Sequence, residues 1–177
     1  MNKELLLSNL RNIPDFPIPG IQFKDVTSLF KNPACMQELD KALYEMYKDC
    51  GITKIVGIES RGFVMASALA VKLNAGFVPI RKPGKLPAET ISESYGKEYG
   101  RDTIEIHKDA ISENDVVLIH DDLLATGGTM LAAYNLVKKL NPKRVMINFL
   151  IELEGLKGRS TFPADAEIDC LLTLEGK

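Results

Sequence analysis

The stretch Val116-Val117-Leu118-Ile119-His120-Asp121-Asp122-Leu123-Leu124-Ala125-Thr126-Gly127-Gly128-Thr129 constrains the fold more than any other. Its apolar start reads as a buried strand, and the run stops at two adjacent carboxylates. A Thr-Gly-Gly-Thr turn follows, and then a stretch with helical spacing. That order places acids at the carboxyl end of a strand and bare backbone N–H groups at the start of a helix. Such an edge can hold a phosphate and grip sugar hydroxyls or a metal beside it.

The rest of the chain repeats the strand-then-helix alternation. Lys54-Ile55-Val56-Gly57-Ile58 is a short buried strand, and Gly62 to Leu73 follows it as an apolar helix. Gly76-Phe77-Val78-Pro79-Ile80 is the next strand, and residues 115–120 form the strand of the opening motif. Thr129 to Leu140 is a helix stopped by Asn141-Pro142, and Arg144–Ile151 and 168–174 are further strands. Alternating elements imply an α/β fold with a mostly parallel central sheet flanked by helices. Ahead of this core, residues 2–11 and 34–49 read as helices, the second opened by Asn32-Pro33. Between them the prolines of Ile13–Gly20 forbid a helix and favour a stiff, extended path. Residues 81–102 carry several cations, glycines and prolines with little periodicity, which marks a functional loop. Thr103–Ile106 reads as an edge strand.

At 177 residues the chain is most simply one domain, 1–177, with a core of about 34–160. Its net charge of −2 gives no global attraction to nucleic acid or to an anionic membrane, so any polyanion site must be local. No apolar run approaches the ~20 residues of a membrane span, and the N-terminus lacks a signal-peptide pattern. Cys35, Cys50 and Cys170 are scattered and odd in number, which fits buried thiols in a reduced, cytoplasmic setting.

Within the opening motif, the Gly127–Gly128 pair lets backbone approach a ligand closely. Thr126 and Thr129 add hydroxyls, and Thr129 suits a helix N-cap. An ordinary strand-to-helix turn is the plain alternative. Two adjacent acids weigh against it, because their repulsion requires something cationic or hydroxylic to meet them. The spacing is neither a Walker A loop nor a dinucleotide fingerprint.

The run Asp121–Thr129 resembles the phosphoribosyl pyrophosphate-binding signature of type I phosphoribosyltransferases, in the form found in adenine phosphoribosyltransferases. Phe16–Asp25, Gly57–Phe63, Arg81–Pro87, Glu98-Tyr99-Gly100 and Leu156–Arg159 are similar to the same family, in the same order, over nearly the whole chain. The resemblance implies a type I phosphoribosyltransferase fold with a small N-terminal base-binding hood (about 1–33) and a flexible catalytic loop (about 81–102). It implies synthesis of AMP and pyrophosphate from adenine and phosphoribosyl pyrophosphate in purine salvage, with Mg²⁺ carried mainly by the substrate, and a homodimer.

Roles follow residue by residue. Ala125, Thr126, Gly127, Gly128 and Thr129 would cradle the ribose 5-phosphate, and Asp121 and Asp122 would face the sugar hydroxyls, with Mg²⁺ nearby. Ser60 and Arg61 would hold pyrophosphate, in a loop that in this family often has a cis peptide, here Glu59–Ser60. Arg61 capping a strand or pairing with Glu59 is the plain alternative. Lys85, in preference to Lys82, would reach pyrophosphate, although both suit a solvated surface. Glu98 would manage the purine proton, with Tyr99 packed over the site. Gln22, Phe23 and Lys24 would hold adenine from one side and Leu123 from the other, with a core anchor as the even alternative for Phe23. His120 departs from the apolar residue common in the family. It receives no role, and ionised aspartates beside it would raise its pKa. His107 has no partner visible in sequence.

Two rivals remain open: transfer to hypoxanthine, guanine or xanthine, and a regulatory sensor of phosphoribosyl pyrophosphate that binds DNA. The Phe16–Asp25 segment argues against the first. Slight acidity, and the lack of an extra N-terminal part, argue against the second.

Overall fold

The computed structural model describes residues 1–96 and 100–176. Its centre is a five-stranded, all-parallel sheet built from β3 (Lys54–Ile58), β4 (Gly76–Ile80), β7 (Val116–Leu124), β8 (Arg144–Leu153) and β9 (Glu167–Leu174). The strand order is β4-β3-β7-β8-β9. The register aligns Val56 with Val78 and Ile119, and Ile119 with Ile147. Strands buried on both faces read as continuous apolar runs, and for that reason β3, β7 and β8 are legible in sequence. The sheet includes β9 and therefore runs past the expected core boundary at residue 160.

The two faces carry separate cores. On one, α3 (Pro33–Tyr47) and α4 (Gly62–Lys72) bury Leu39, Leu43, Met65 and Leu69 against Ile55, Leu118, Met146 and Leu150. On the other, α5 (Gly128–Lys138) buries Met130, Ala133, Leu136 and Val137 against Val56, Val117, Ile119 and Ile147. Asn32 caps α3 by accepting from the Ala34 and Cys35 amides, and Pro33 takes the first helical position, where its missing N–H costs nothing.

Two smaller units frame the carboxyl edge of the sheet. The N-terminal one holds α1 (Lys3–Asn9), the antiparallel pair β1 (Arg11–Pro14) and β2 (Gln22–Asp25), and α2 (Thr27–Phe30). The proline-rich segment is therefore the bend of a hairpin, with Phe16–Pro17 cis, and not one extended path. Asp25 ties the unit together: it accepts from the Thr27 amide and hydroxyl and from the Arg11 guanidinium. Those bonds, led by the Thr27 hydroxyl, hold its carboxyl below the usual range.

The second unit corrects the expectation for residues 81–102. Part of that stretch is β5 (Thr90–Gly96), paired antiparallel with β6 (Arg101–His107) in a hairpin of its own. Ser, Glu and Thr mask the alternation of β5, because only one face meets the rest of the protein. Thr103–Ile106 is accordingly not an edge of the central sheet: a backbone bridge joins Glu105 to Arg81, and Ile104 and Ile106 pack against Val56, Val78 and Ile80 on its face. Of the cysteines only Cys35 is fully buried; Cys50 and Cys170 are partly exposed, and all three are free.

Candidate active site

Strand β7 runs farther than its apolar residues suggested. It continues through both acids to Leu124, so Asp121 and Asp122 sit within the end of the strand. The pairing with β8 passes from Asp121–Phe149 to Leu123–Ile151 and omits Asp122. The Asp122 side chain is buried and meets Arg61, at the start of α4. The chain then makes the turn 125–127 and enters α5.

The cap of α5 also differs from expectation. The N-cap is Gly127, at φ +84°, and Thr129 lies inside the first turn. A left-handed residue is needed there, and space demands glycine as well. A Cβ on Gly127 would come 2.5 Å from Thr161 Oγ1 and 2.7 Å from the Gly158 carbonyl. The segment 158–161 thus forms a floor behind the turn, and Arg159 anchors it. Its Nε lies 3.1 Å from Glu152 Oε1, and its other nitrogens reach Glu152 Oε2 at 2.5 Å and the Ile168 carbonyl at 2.7 Å. Arg159 in return holds the Glu152 carboxyl below the usual range.

Two clefts meet at the acid pair. The larger, about 370 Å³, is bounded by Gln22, Phe23 and Lys24 on the hairpin, by Leu123, and by the turn Ala125–Thr129. The second, about 290 Å³, is bounded by Glu59, Ser60, Arg61, Arg81, Lys82 and Tyr95. Arg61, Asp121, Asp122 and Thr129 line both. One cleft is mainly apolar with the glycine turn at its end, and the other is polar, with Arg61, Arg81 and Lys82 set among Glu59, Asp121 and Asp122.

Arg61 pairs with Asp122 through a short contact and not with Glu59, the plainer reading from sequence. Burial disfavours its charge, but Asp122, and Asp121 and Asp25 beyond it, more than offset that and raise its pKa. The guanidinium also stands 5.9 Å over the Phe23 ring, a cation–π approach across the mouth of the larger cleft. Phe23 is only partly buried and packs edge-on against Phe16, with ring centroids 5.1 Å apart. It is therefore a cleft wall and not a core anchor. Gln22 and Lys24 are held by one residue: Asn12 donates to Gln22 Oε1 at 2.7 Å and accepts from Lys24 Nζ at 3.0 Å.

Asp121 is set differently from its neighbour. Desolvation, and then the Asp122 charge, push its carboxyl well above the usual carboxylate range, while its Oδ1 accepts from the Asp122 amide at 2.9 Å. A carboxyl so placed gains from any hydroxyl or cation delivered to it.

The Glu59–Ser60 peptide is cis, as the resemblance suggested. Glu59 accepts from two cations and one backbone amide: Lys85 Nζ at 2.6 Å, Arg81 at 3.3 Å and the Lys82 N–H at 3.0 Å. Lys85 first, with Lys82 and Arg81, lowers its pKa to about 2 against the burial that opposes ionisation. Lys85 is therefore tied to the rim, while Lys82, the less favoured residue, lines the cleft and pairs with Asp102. The structure adds Arg81, Glu59 and Tyr95 to the site. Arg81 has a signal in sequence, since it follows directly on the carboxyl end of β4; Tyr95 has none, because its hairpin carries little apolar alternation. Glu98 and Tyr99 lie outside the described residues.

His120 corrects one expectation. Its side chain is wholly buried, its Nδ1 stands 2.8 Å from Asn148 Oδ1, and its Nε2 has no partner among the described residues. Burial lowers its pKa to about 4, outweighing the Asn148 bond and the Asp122 charge that act the other way. His107 does find a partner, the Pro87 carbonyl.

No group of three or more His, Cys, Asp or Glu side chains arranged for a metal occurs among the described residues. The acid pair could supply at most a partial shell, with Asp122 already committed to Arg61. This donor set fits an ion that brings phosphate and water ligands of its own, as Mg²⁺ does. No helix among the described residues is long and apolar enough to cross a membrane.

Comparison with known proteins bears on this geometry. The phosphoribosyl transferase domain family matches residues 25–174. An adenine phosphoribosyltransferase of Bacteroides thetaiotaomicron is 68% identical over 174 residues, covering 98% of this chain and 99% of its own. The crystal structure of the Rhodothermus marinus adenine phosphoribosyltransferase superposes with a TM-score of 0.90 at 51% identity, over 97% of each chain. That of Saccharomyces cerevisiae, complexed with an imino-altritol bisphosphate and adenine, gives 0.89 at 44% identity, over 96% of this chain and 97% of its own. Paired clefts meeting at two acids beside a glycine turn, matched from end to end at such identity, mean that the chain belongs to the phosphoribosyltransferase family and, within it, to the adenine phosphoribosyltransferases.

Proposed function

We propose that this chain transfers phosphoribose from phosphoribosyl pyrophosphate to adenine, releasing pyrophosphate and forming AMP, and that its two clefts divide the substrates. The observation that carries the reading is the sharing of Arg61, Asp121, Asp122 and Thr129 by an apolar cleft and a polar one that holds Arg81 and Lys82. The bond that breaks and the bond that forms both lie on one sugar carbon, so the sugar belongs at that junction.

The amides and hydroxyls of Ala125–Thr129 would take the 5-phosphate, helped by the positive end of α5. Asp121 and Asp122 would accept from the ribose hydroxyls and favour the positive charge that develops on the ring. Ser60, Arg61, Arg81 and Lys82 would face the departing pyrophosphate, with Lys85 delivered from Glu59. Mg²⁺, arriving with the diphosphate, would disperse charge on that leaving group. Adenine would lie between Phe23 and Leu123, with the backbone of Gln22 and Lys24 at its edge. The assignment of Glu98 to the purine proton, and of Tyr99 to cover the site, rests on the family resemblance alone. A homodimer is part of the same reading, and the exposed apolar side chains Val64 and Val71 on α4, with Phe77 on β4, support it. The same reading implies a role in purine salvage and a cytoplasmic setting.

The test is turnover with adenine, hypoxanthine, guanine and xanthine in turn, each with phosphoribosyl pyrophosphate and Mg²⁺. AMP formation with adenine, well above product from any other base, is expected. A folded sample that makes no AMP overturns the reading.

A further inference from the structure

Tyr95 belongs to no motif in the chain and to neither strand of the acid–turn edge, yet it touches the phosphate turn. It lies near the end of β5, on the hairpin that stands outside the central sheet. Thr129 Oγ1 donates to Tyr95 Oη at 3.1 Å. Tyr95 Oη donates to Asp102 Oδ2 at 3.3 Å, across the β5–β6 pair in which the two residues are register partners. Asp102 is in turn paired with Lys82, whose Nζ stands 6.0 Å over the Tyr95 ring. Tyr95, Lys82 and Thr129 all line the polar cleft. The ring also covers the start of α5: a Cβ on Gly128 would lie 3.9 Å from Tyr95 Cδ2.

A threonine hydroxyl has one hydrogen to give. Without ligand, that of Thr129 is spent on Tyr95. A phosphate seated in the turn needs it. Tyr95 has a hydrogen of its own, directed at Asp102, which Lys82 already neutralises. Rotation about two C–O bonds, with no movement of heavy atoms, reverses the chain. Thr129 then donates to the phosphate, and Tyr95 donates to the Thr129 oxygen. A donor that is itself hydrogen-bonded in this sense is polarised and binds an anion better.

We propose that Tyr95 is a positioning residue for the 5-phosphate: its hydroxyl holds the Thr129 side chain in the donating geometry and supports it once phosphate is bound. This rests on the reading that Ala125–Thr129 seats that phosphate. Phenylalanine at position 95 keeps the ring over α5 and removes only the hydroxyl.

The experiment is calorimetric titration of the full chain with ribose 5-phosphate and, separately, with pyrophosphate, for the wild type, Thr129→Ala, Tyr95→Phe and the double variant. Tyr95→Phe should weaken ribose 5-phosphate about fivefold, the size of one ordinary hydrogen bond, and leave pyrophosphate unchanged. Added to Thr129→Ala it should cost nothing more, because the group it supports is gone. Unchanged ribose 5-phosphate affinity in Tyr95→Phe, equal weakening of both ligands, or additive losses in the double variant each overturn the proposal. If Thr129→Ala itself leaves ribose 5-phosphate binding intact, the phosphate seat is wrongly placed and the proposal falls with it, an outcome distinct from failure of Tyr95→Phe alone.

Discussion

Gly62 is the point where the loop bearing Ser60 and Arg61 is pressed onto the strand bearing the acids. It is the first residue of α4, and a Cβ there would stand 2.8 Å from the His120 carbonyl oxygen and 3.0 Å from Asp121 Oδ1. Ordinary contact begins at 3.4 Å, so Gly62→Ala is short by about 0.6 Å against its nearest neighbour, a strand backbone atom that cannot rotate away. Two effects oppose each other. Alanine in place of glycine favours the helix by about 0.5–1 kcal/mol. Overpacking against a rigid strand costs about 1–3 kcal/mol. The second wins, leaving a net loss of about 1 kcal/mol and a fall in Tm of about 3 °C. The larger effect is on activity. The change forces Ser60 and Arg61 away from Asp121 by a fraction of an ångström. A displacement near 1 Å costs about a hundredfold in rate, so about a tenfold loss in kcat/KM for phosphoribosyl pyrophosphate is expected. Circular dichroism melts and initial rates on the same preparation measure both. A Gly62→Ala variant with wild-type Tm and wild-type kcat/KM would show that the α4–β7 contact does not set the site.

Two further outcomes follow from groups beneath and behind the site. His120 holds a folded-state pKa of about 4 against an ordinary 6.5, so the unfolded chain takes up a proton that the folded chain refuses. Stability conferred by the neutral ring is present above pH 6.5 and is lost as pH falls toward 4; His120→Val should flatten the Tm profile in that window, and an unaltered slope would refute the assignment. Arg159→Met leaves the nearly buried Glu152 carboxylate without its guanidinium; because Arg159 is 45% exposed, the loss should fall below that of a fully buried pair, at about 1–3 kcal/mol. Urea denaturation measures it, Glu152→Gln in the same chain should recover part, and a loss under about 0.5 kcal/mol would mean that the floor of the phosphate turn does not depend on this pair.

The parallel sheet was legible wherever a strand is covered on both faces, because continuous burial demands continuous apolar residues. Lys54–Ile58 matches to the residue for that reason; Gly76–Ile80 matches as well, although it is the edge strand with Gly76 and Phe77 exposed. The glycine turn and the acid pair were legible too, since Gly127 is the residue type its left-handed backbone and close packing demand. The β5–β6 hairpin was not: a half-exposed pair needs little apolar signal, and its partner is specified by contact with α5 rather than by local propensity. The depth of β7 was hidden for another reason: Asp121 and Asp122 interrupt its apolar run, although the backbone pairs with β8 on both sides of them, through to Leu124.

The chemistry of the motif Asp121–Thr129 is therefore a property of the sequence. Local residue types determine which backbone turn forms and which groups it presents. Which cation meets which acid was decided only by tertiary packing. Arg61 answers Asp122 across 61 positions, Lys85 answers Glu59 across 26, and Tyr95 reaches Thr129 across 34. Such pairings depend on where rigid elements place side chains, and the energies that select them are small against the packing that fixes those elements.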